Sequence, residues 1–196
     1  RGLPSKAVWF ASEQLIYTVL ARPEFKSLKE LRGKRIGLTG LGGTSDVALR
    51  IALEAVGENY KDFTIVALGA PQLLSGLENG TIEAAQLNSP LNYHAKKKGF
   101  RALLEIGDHV QMPLGGLTAS NAAIQNRTSE LKRVMRSLQT AKRTLLQSKE
   151  KAIDLIMRTI RVDREVAEEM FADNRRSAAG NGVASREGME QIVKSS

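Results

Sequence analysis

The chain contains no cysteine. That excludes disulfides, thiolate nucleophiles and cysteine-ligated zinc together. Histidine is nearly as scarce, with His94 and His109 the only two. Neither stands at metal-ligand or acid–base spacing from a partner, so catalysis and metal binding find no support. Ser45 and Ser120 have no identifiable base, and Glu83, Glu105 and Asp108 form no defined pair. Aromatic residues make up 5% of the chain, too few and too scattered for a base-stacking platform. No apolar run approaches the ~20 residues of a bilayer-crossing helix. No charged leader with a following apolar segment opens the chain. The first residue is Arg1 rather than Met, so that absence says little about cellular address. Lack of cysteine fits an extracytoplasmic bacterial protein.

What is present describes a folded protein. The 196 residues are 42% apolar, with a mean hydropathy of −0.24, enough for a hydrophobic core in one or two small domains. The net charge is +8, which raises nucleic acid as a partner. The cations are dispersed, however. Lys26, Lys29, Arg32, Lys34 and Arg35 flank one strand, Lys96, Lys97 and Lys98 form a run, and Arg133, Arg136, Lys142 and Arg143 mix with acids along a helix. This reads as a solvated basic surface that attracts anions, not a nucleic-acid groove.

The most informative stretch is Leu31-Arg-Gly-Lys-Arg-Ile-Gly-Leu-Thr-Gly-Leu-Gly-Gly-Thr-Ser-Asp46. A charged lead-in, a strand at Lys34–Thr39 and a glycine turn at Gly40–Gly43 run into a helix that Thr44 or Ser45 caps. Free N–H groups of a helix N-terminus then lie at the mouth of a sheet. Further strands are expected at Phe63–Leu68, Thr81–Leu87, Ala102–Ile106 and Leu114–Ala119, with helices between them. Two short extended pieces precede them in Ala7–Leu20. That order calls for an α/β fold with a mostly parallel sheet and helices on both faces. From Ser129 onward the spacing turns helical, with a break near Ser148, a cap at Asp163 and a turn at Asn181-Gly182.

Five motifs recur in order: Arg1-Gly-Leu-Pro-Ser-Lys-Ala-Val, Ser27-Leu-Lys-Glu-Leu-Arg-Gly-Lys-Arg-Ile-Gly-Leu, Gly42-Gly-Thr-Ser, Leu74-Ser-Gly-Leu-Glu-Asn-Gly-Thr-Ile-Glu-Ala-Ala and Ala95-Lys-Lys-Lys-Gly-Phe-Arg-Ala-Leu. In this series the chain resembles the nitrate/sulfonate/taurine and thiamine-precursor type of substrate-binding proteins of bacterial ABC importers. The resemblance implies a type II periplasmic-binding-protein fold with ligand held between two lobes. It divides the chain into a crossover at 1–30, an α/β second lobe at 31–119 and C-terminal helices at 120–196. It also implies that most of the first lobe precedes Arg1. Apolar surface on Leu131, Val134, Leu138 and Ala7–Leu20 would then lack cover, and an oligomer or an exchanged segment is expected.

The candidate ligand-binding residues are Gly42, Gly43, Thr44, Ser45, Asn88, Ser89, Ser12 and Trp9. Residues alone leave a plain capped turn as open as a ligand cradle at Gly42–Ser45; the resemblance favours the cradle. The turn lacks the lysine of a phosphate-binding loop and the spacing of a dinucleotide fingerprint. Asn88 and Ser89 stand where a strand gives out, the place ligands occupy in open α/β sheets, and a helix-capping turn is equally open there. For Trp9, core packing is the stronger reading, and Ser12 lies near the crossover. The expected function is a non-enzymatic solute-binding protein, without metal or cofactor. It captures a small polar solute, anionic by the basic balance of the chain, for a membrane permease. The expected location is periplasmic or otherwise extracytoplasmic, with a lipid anchor as one form. The alternatives are the effector-binding domain of a transcription regulator, or a pyrimidine-precursor or menaquinone-pathway enzyme of the same fold.

Overall fold

The computed structural model describes residues 3–194. Arg1 and Gly2 of the opening motif lie outside the described residues. The chain forms two compact units, one of residues 3–15 and 111–194, the other Ile16–Val110.

The Ile16–Val110 unit is built on a five-stranded sheet. Its strands are β2 (Thr18–Ala21), β3 (Arg35–Leu38), β4 (Thr64–Ala67), β5 (Ala84–Leu87) and β6 (Arg101–Glu105), in the order β4-β3-β5-β2-β6. β3 pairs in parallel with β4 and β5. β2 runs antiparallel to both β5 and β6. The expected α/β layering is present, and the sheet is mixed. The antiparallel strand comes from the segment before the β-α-β series, inserted between two of its members.

Helix α1 (Thr44–Ala55) links β3 to β4, and α2 (Ala70–Asn79) leads from β4 back across β3 to β5. Right-handed crossovers in opposite directions place these helices on opposite faces. On one face α2 and α3 (Leu91–Lys97) bury Leu73, Leu77 and Ala95 against Leu20, Ala85 and Leu87. On the other, Val19, Ile36 and Leu38 are fully buried with Ala48, Leu49, Ala52 and Leu53 of α1. Gly37 permits the packing of α2, since a Cβ there would come within 2.7 Å of both Ile82 Cδ1 and Leu73 Cδ2.

The other unit pairs β1 (Ser5–Ser12) with β7 (Leu114–Ser120) in an antiparallel ribbon. Helices α4 (Asn121–Asn126), α5 (Thr128–Gln147), α6 (Lys149–Ile160), α7 (Arg164–Ser177) and α8 (Arg186–Lys194) follow. Asp163 caps α7 by accepting the Val166 N–H at 2.9 Å. Ala152, Ile153, Ala167 and Phe171 form the α6–α7 core.

The two compact units divide after residues 15 and 110, because β1 takes β7 as its partner while β2 enters the five-stranded sheet. Two expectations are corrected here. Apolar residues of Ala7–Leu20 are not left uncovered as a group, because β2 is an internal strand and Leu15, Val19 and Leu20 are buried. Leu131 is half-buried, whereas Val134 and Leu138 are 46% and 36% exposed. Finally, Gly43 is the N-cap of α1, with no side-chain cap bond; Thr44 and Ser45 are already helical.

One ion pair ties the lower edge of the sheet. Arg35 Nη2 donates to Glu83 Oε1 at 2.8 Å, and its backbone N–H and Nε donate to Oε2 at 2.9 and 3.2 Å. These bonds hold the Glu83 carboxyl at about 2, below its ordinary 4.5. A carboxyl depressed in the folded state stabilises the fold above its unfolded value and stops doing so as pH falls. Stability of the wild type should therefore drop as pH falls from about 4.5 towards about 2. Urea melts across that range test this: Glu83→Gln should lower stability at neutral pH and flatten the acid slope.

Candidate functional site

β3 and β5 lie side by side in parallel, with Gly37 opposite Ala85. The chain leaving β3 enters α1 on one face of the sheet. The chain leaving β5 enters α3 on the other. Their carboxyl ends thus diverge, and the gap between diverging connections is where open α/β sheets receive ligands. Gly40–Ser45 and Asn88–Ser89 flank that gap. Of the candidate residues, Gly42, Gly43, Thr44, Ser45, Asn88 and Ser89 are brought to one edge of this sheet.

The turn after β3 is held by its own side chains. Gly42 has a φ of 70°, a left-handed conformation that costs glycine little. Thr39 Oγ1 donates to Ser45 Oγ at 3.1 Å, and Ser45 Oγ donates to the Gly40 carbonyl at 3.3 Å. Ser45 is therefore buried within the turn, while Gly42, Gly43 and Thr44 face solvent. Asp46 Oδ2 accepts the Gly42 N–H at 2.7 Å, and Oδ1 accepts the Tyr60 hydroxyl. Arg50 stacks over the Tyr60 ring at 4.7 Å from its centroid. Burial, followed by the Asp46 carboxylate, pushes the Tyr60 hydroxyl up to about 12.

On the β5 side, Asn88 and Ser89 are half-buried, and the Ser89–Pro90 peptide is cis. Ser89 Oγ is buried without a hydrogen-bond partner, as are both amide atoms of Gln86. Side chains alternate along a strand, so Gln86 points away from Ala85 and Leu87, toward the α1 face. In the row above, Thr18 pairs with Leu87 on one side and Glu105 on the other. Thr18 Oγ1 donates to Glu105 Oε2 at 2.6 Å, and Lys96 Nζ donates to Oε1 at 3.0 Å. Tyr17, next in the chain, has its hydroxyl pushed up by burial.

Trp9 and Ser12 belong to the other unit, on β1. Trp9 Nε1 donates to Gln139 Oε1 at 3.2 Å, and Lys142 Nζ lies 5.6 Å from the ring centroid. Lys142 also donates to the Ala11 carbonyl at 2.7 Å and to that of Ala179; desolvation pulls its ammonium down. The polar edge of Trp9 is thus engaged within its own unit. Ser12 Oγ donates to the Leu114 carbonyl, across the ribbon. Both residues have local structural work independent of a ligand.

Sequence reasoning missed Gln86 and the ligation of Gly42 by Asp46. A signal for Gln86 existed: it is the one polar residue in the buried strand Ala-Ala-Gln-Leu. Asp46 was legible as a first-turn acid, but its bond to Tyr60 depends on how the 3-10 turn Tyr60–Asp62 docks beside α1. Among the described residues, no cluster of three or more His, Cys, Asp or Glu side chains could hold a metal ion.

Residues 9–160 match the NMT1-like family. A Brucella abortus protein named only as a binding protein is 25% identical over 150 residues, 74% of this chain and 47% of its own length. The riboflavin-binding protein RibY of Chloroflexus aurantiacus is 26% identical over 164 residues, 82% of this chain and 46% of its own. The chain thus spans about half the length of the curated relatives it matches. Among solved structures, the periplasmic aliphatic sulphonate-binding protein SsuA of Escherichia coli aligns with a TM-score of 0.81 at 18% identity, over 99% of this chain and 67% of that one. SsuA of Xanthomonas axonopodis, bound to MOPS, aligns at 0.77 and 20%, over 98% and 67%. The desulfurization enzyme DSZB aligns at 0.70 and 13%, over 98% and 71%. These likenesses show a periplasmic-binding-protein fold. They also show one that carries an enzyme as well as binding proteins.

The Asp46–Tyr60 bond has a spectroscopic signature. In an ultraviolet pH titration, one tyrosine should ionise near pH 12. In Asp46→Asn the value should fall only part of the way to the ordinary 10.0, because burial, the larger cause, persists.

Proposed function

The chain belongs to the NMT1-like family, and on that premise we propose that it is part of an extracytoplasmic solute-binding protein serving an ABC importer. The observation that carries this reading is the placement of two turns, Gly40–Ser45 and Asn88–Ser89, at the diverging ends of the parallel neighbours β3 and β5. The solute is small and polar. Backbone amides of the first α1 turn, the Thr44 hydroxyl and the Asn88 side chain hold it through hydrogen bonds. Trp9 and Ser12, on the other unit, are second-rank candidates, since their polar atoms already have partners.

Binding without catalysis is part of the proposal. The Ser45 hydroxyl is engaged by Thr39 and Gly40, with no histidine or lysine among the partners of its oxygen. The family relatives named for a role are named for binding. The permease that receives the solute is the implied partner.

A solute library screened by thermal shift, followed by calorimetry on each hit, tests the site. Asn88→Ala should weaken binding by about two- to tenfold, the loss of one hydrogen bond. Unchanged affinity for every hit would move the site away from this edge.

The exposed face of α5 around Val134 and Leu138 offers a surface for a second copy of the chain, and self-association there is also proposed. Light scattering should report a mass above 21.4 kDa that falls with Val134→Lys. A monomer at all concentrations would remove this part.

A further inference from the structure

The N-terminus of α1 already holds an anion of its own. Asp46 is 5% exposed, and its carboxylate takes the Gly42 N–H at 2.7 Å and the Tyr60 hydroxyl. Its counter-ion is Arg50, whose Nη2 lies 4.0 Å from Oδ2, a long ion pair, and whose side chain is 54% exposed, where water screens it. A carboxylate in the first turn uses the partial positive charge that a helix end offers a ligand. A second anion at the same turn meets like charge.

The unpaired polar groups at this edge are uncharged. Both amide atoms of Gln86 and the hydroxyl of Ser89 lack partners, and Gln86 is only 2% exposed. Gln86 lies two residues before Asn88, on the face of β5 that α1 covers. An amide asks for a donor and an acceptor at once. A charged group brought against it would lose hydration without gaining a counter-charge.

We infer that Asp46 is a specificity-determining residue. It occupies the anion place of the α1 turn and directs the site toward an uncharged solute group that both donates and accepts hydrogen bonds, such as an amide, a ureide or an alcohol. Carboxylates, sulfonates and phosphates are disfavoured there. This departs from the anionic solute that the basic composition suggests. It rests on the reading of this turn as the ligand site.

The test is an amide-resolved NMR titration of the wild type, Asp46→Asn and Asp46→Ala, with inorganic sulfate and with acetamide at constant ionic strength. In the wild type, acetamide should shift the resonances of residues 86–89, and sulfate should leave residues 42–46 in place. Both variants should bind sulfate at the turn about fivefold or more tightly than the wild type, the effect of removing one charge beside a helix end. Asp46→Asn keeps an acceptor for Gly42 and Tyr60, so it carries the comparison if Asp46→Ala does not fold. A wild-type turn that titrates with sulfate as tightly as the variants overturns the role of Asp46 and leaves the site standing. Silence of residues 40–46 and 86–89 toward both probes in all three proteins overturns the site itself, and this inference with it.

Discussion

The strand Ala84–Leu87 is the constraint on which the α/β unit depends. All four residues are buried, and the strand is paired on both edges, to β3 in parallel and to β2 in antiparallel. Small side chains at Ala84 and Ala85 let helices approach from both faces. Because β3 and β5 are parallel neighbours whose following helices lie on opposite faces, their ends open a gap. The position of the glycine turn beside Asn88 and Ser89 follows from that arrangement alone. A strand with bulkier side chains, or one paired on a single edge, would not fix the two turns together.

Electrostatics at the gap runs against the charge of the whole chain. The sequence carries a net +8, yet this edge includes carboxylates with local partners. Asp46 is bound by Gly42 and Tyr60, and Glu105 by Thr18 and Lys96. Net charge acts over a Debye length and governs encounter. What binds at contact distance is decided by the few groups within hydrogen-bond reach. Dispersed surface cations and a turn that carries its own carboxylate are compatible in one protein because they act at different ranges.

The fold itself leaves function undetermined. Its structural relatives include sulfonate-binding proteins and a desulfurization enzyme, so chemistry has to be read from the site. Here the candidate site carries amides, hydroxyls and an amide side chain. Ser45, the hydroxyl with the most central place, is committed to its own turn.

Much was legible in the linear chain because it rests on local physics. Strand and helix positions followed from spacing, the α7 start from Asp163, and the α5–α6 break from Ser148. The glycine turn at Gly40–Gly43 was visible as a turn, since glycine in sequence marks backbone freedom. Pairing was not visible. That β1 joins β7 while β2 enters the five-stranded sheet depends on contacts about a hundred residues apart, which no window of local periodicity records. The same holds within the site. Asp46 was readable as a helix-start acid, but only the docking of Tyr60 beside α1 made it a buried, doubly bonded carboxylate. Gln86 was readable as a polar residue in an apolar strand, but only the folded structure shows its amide buried without a partner. Sequence determined the elements, because each is stabilised by neighbours in the chain; tertiary structure decided the pairing and the electrostatics of the site, because both come from residues that meet only when the sheet is assembled.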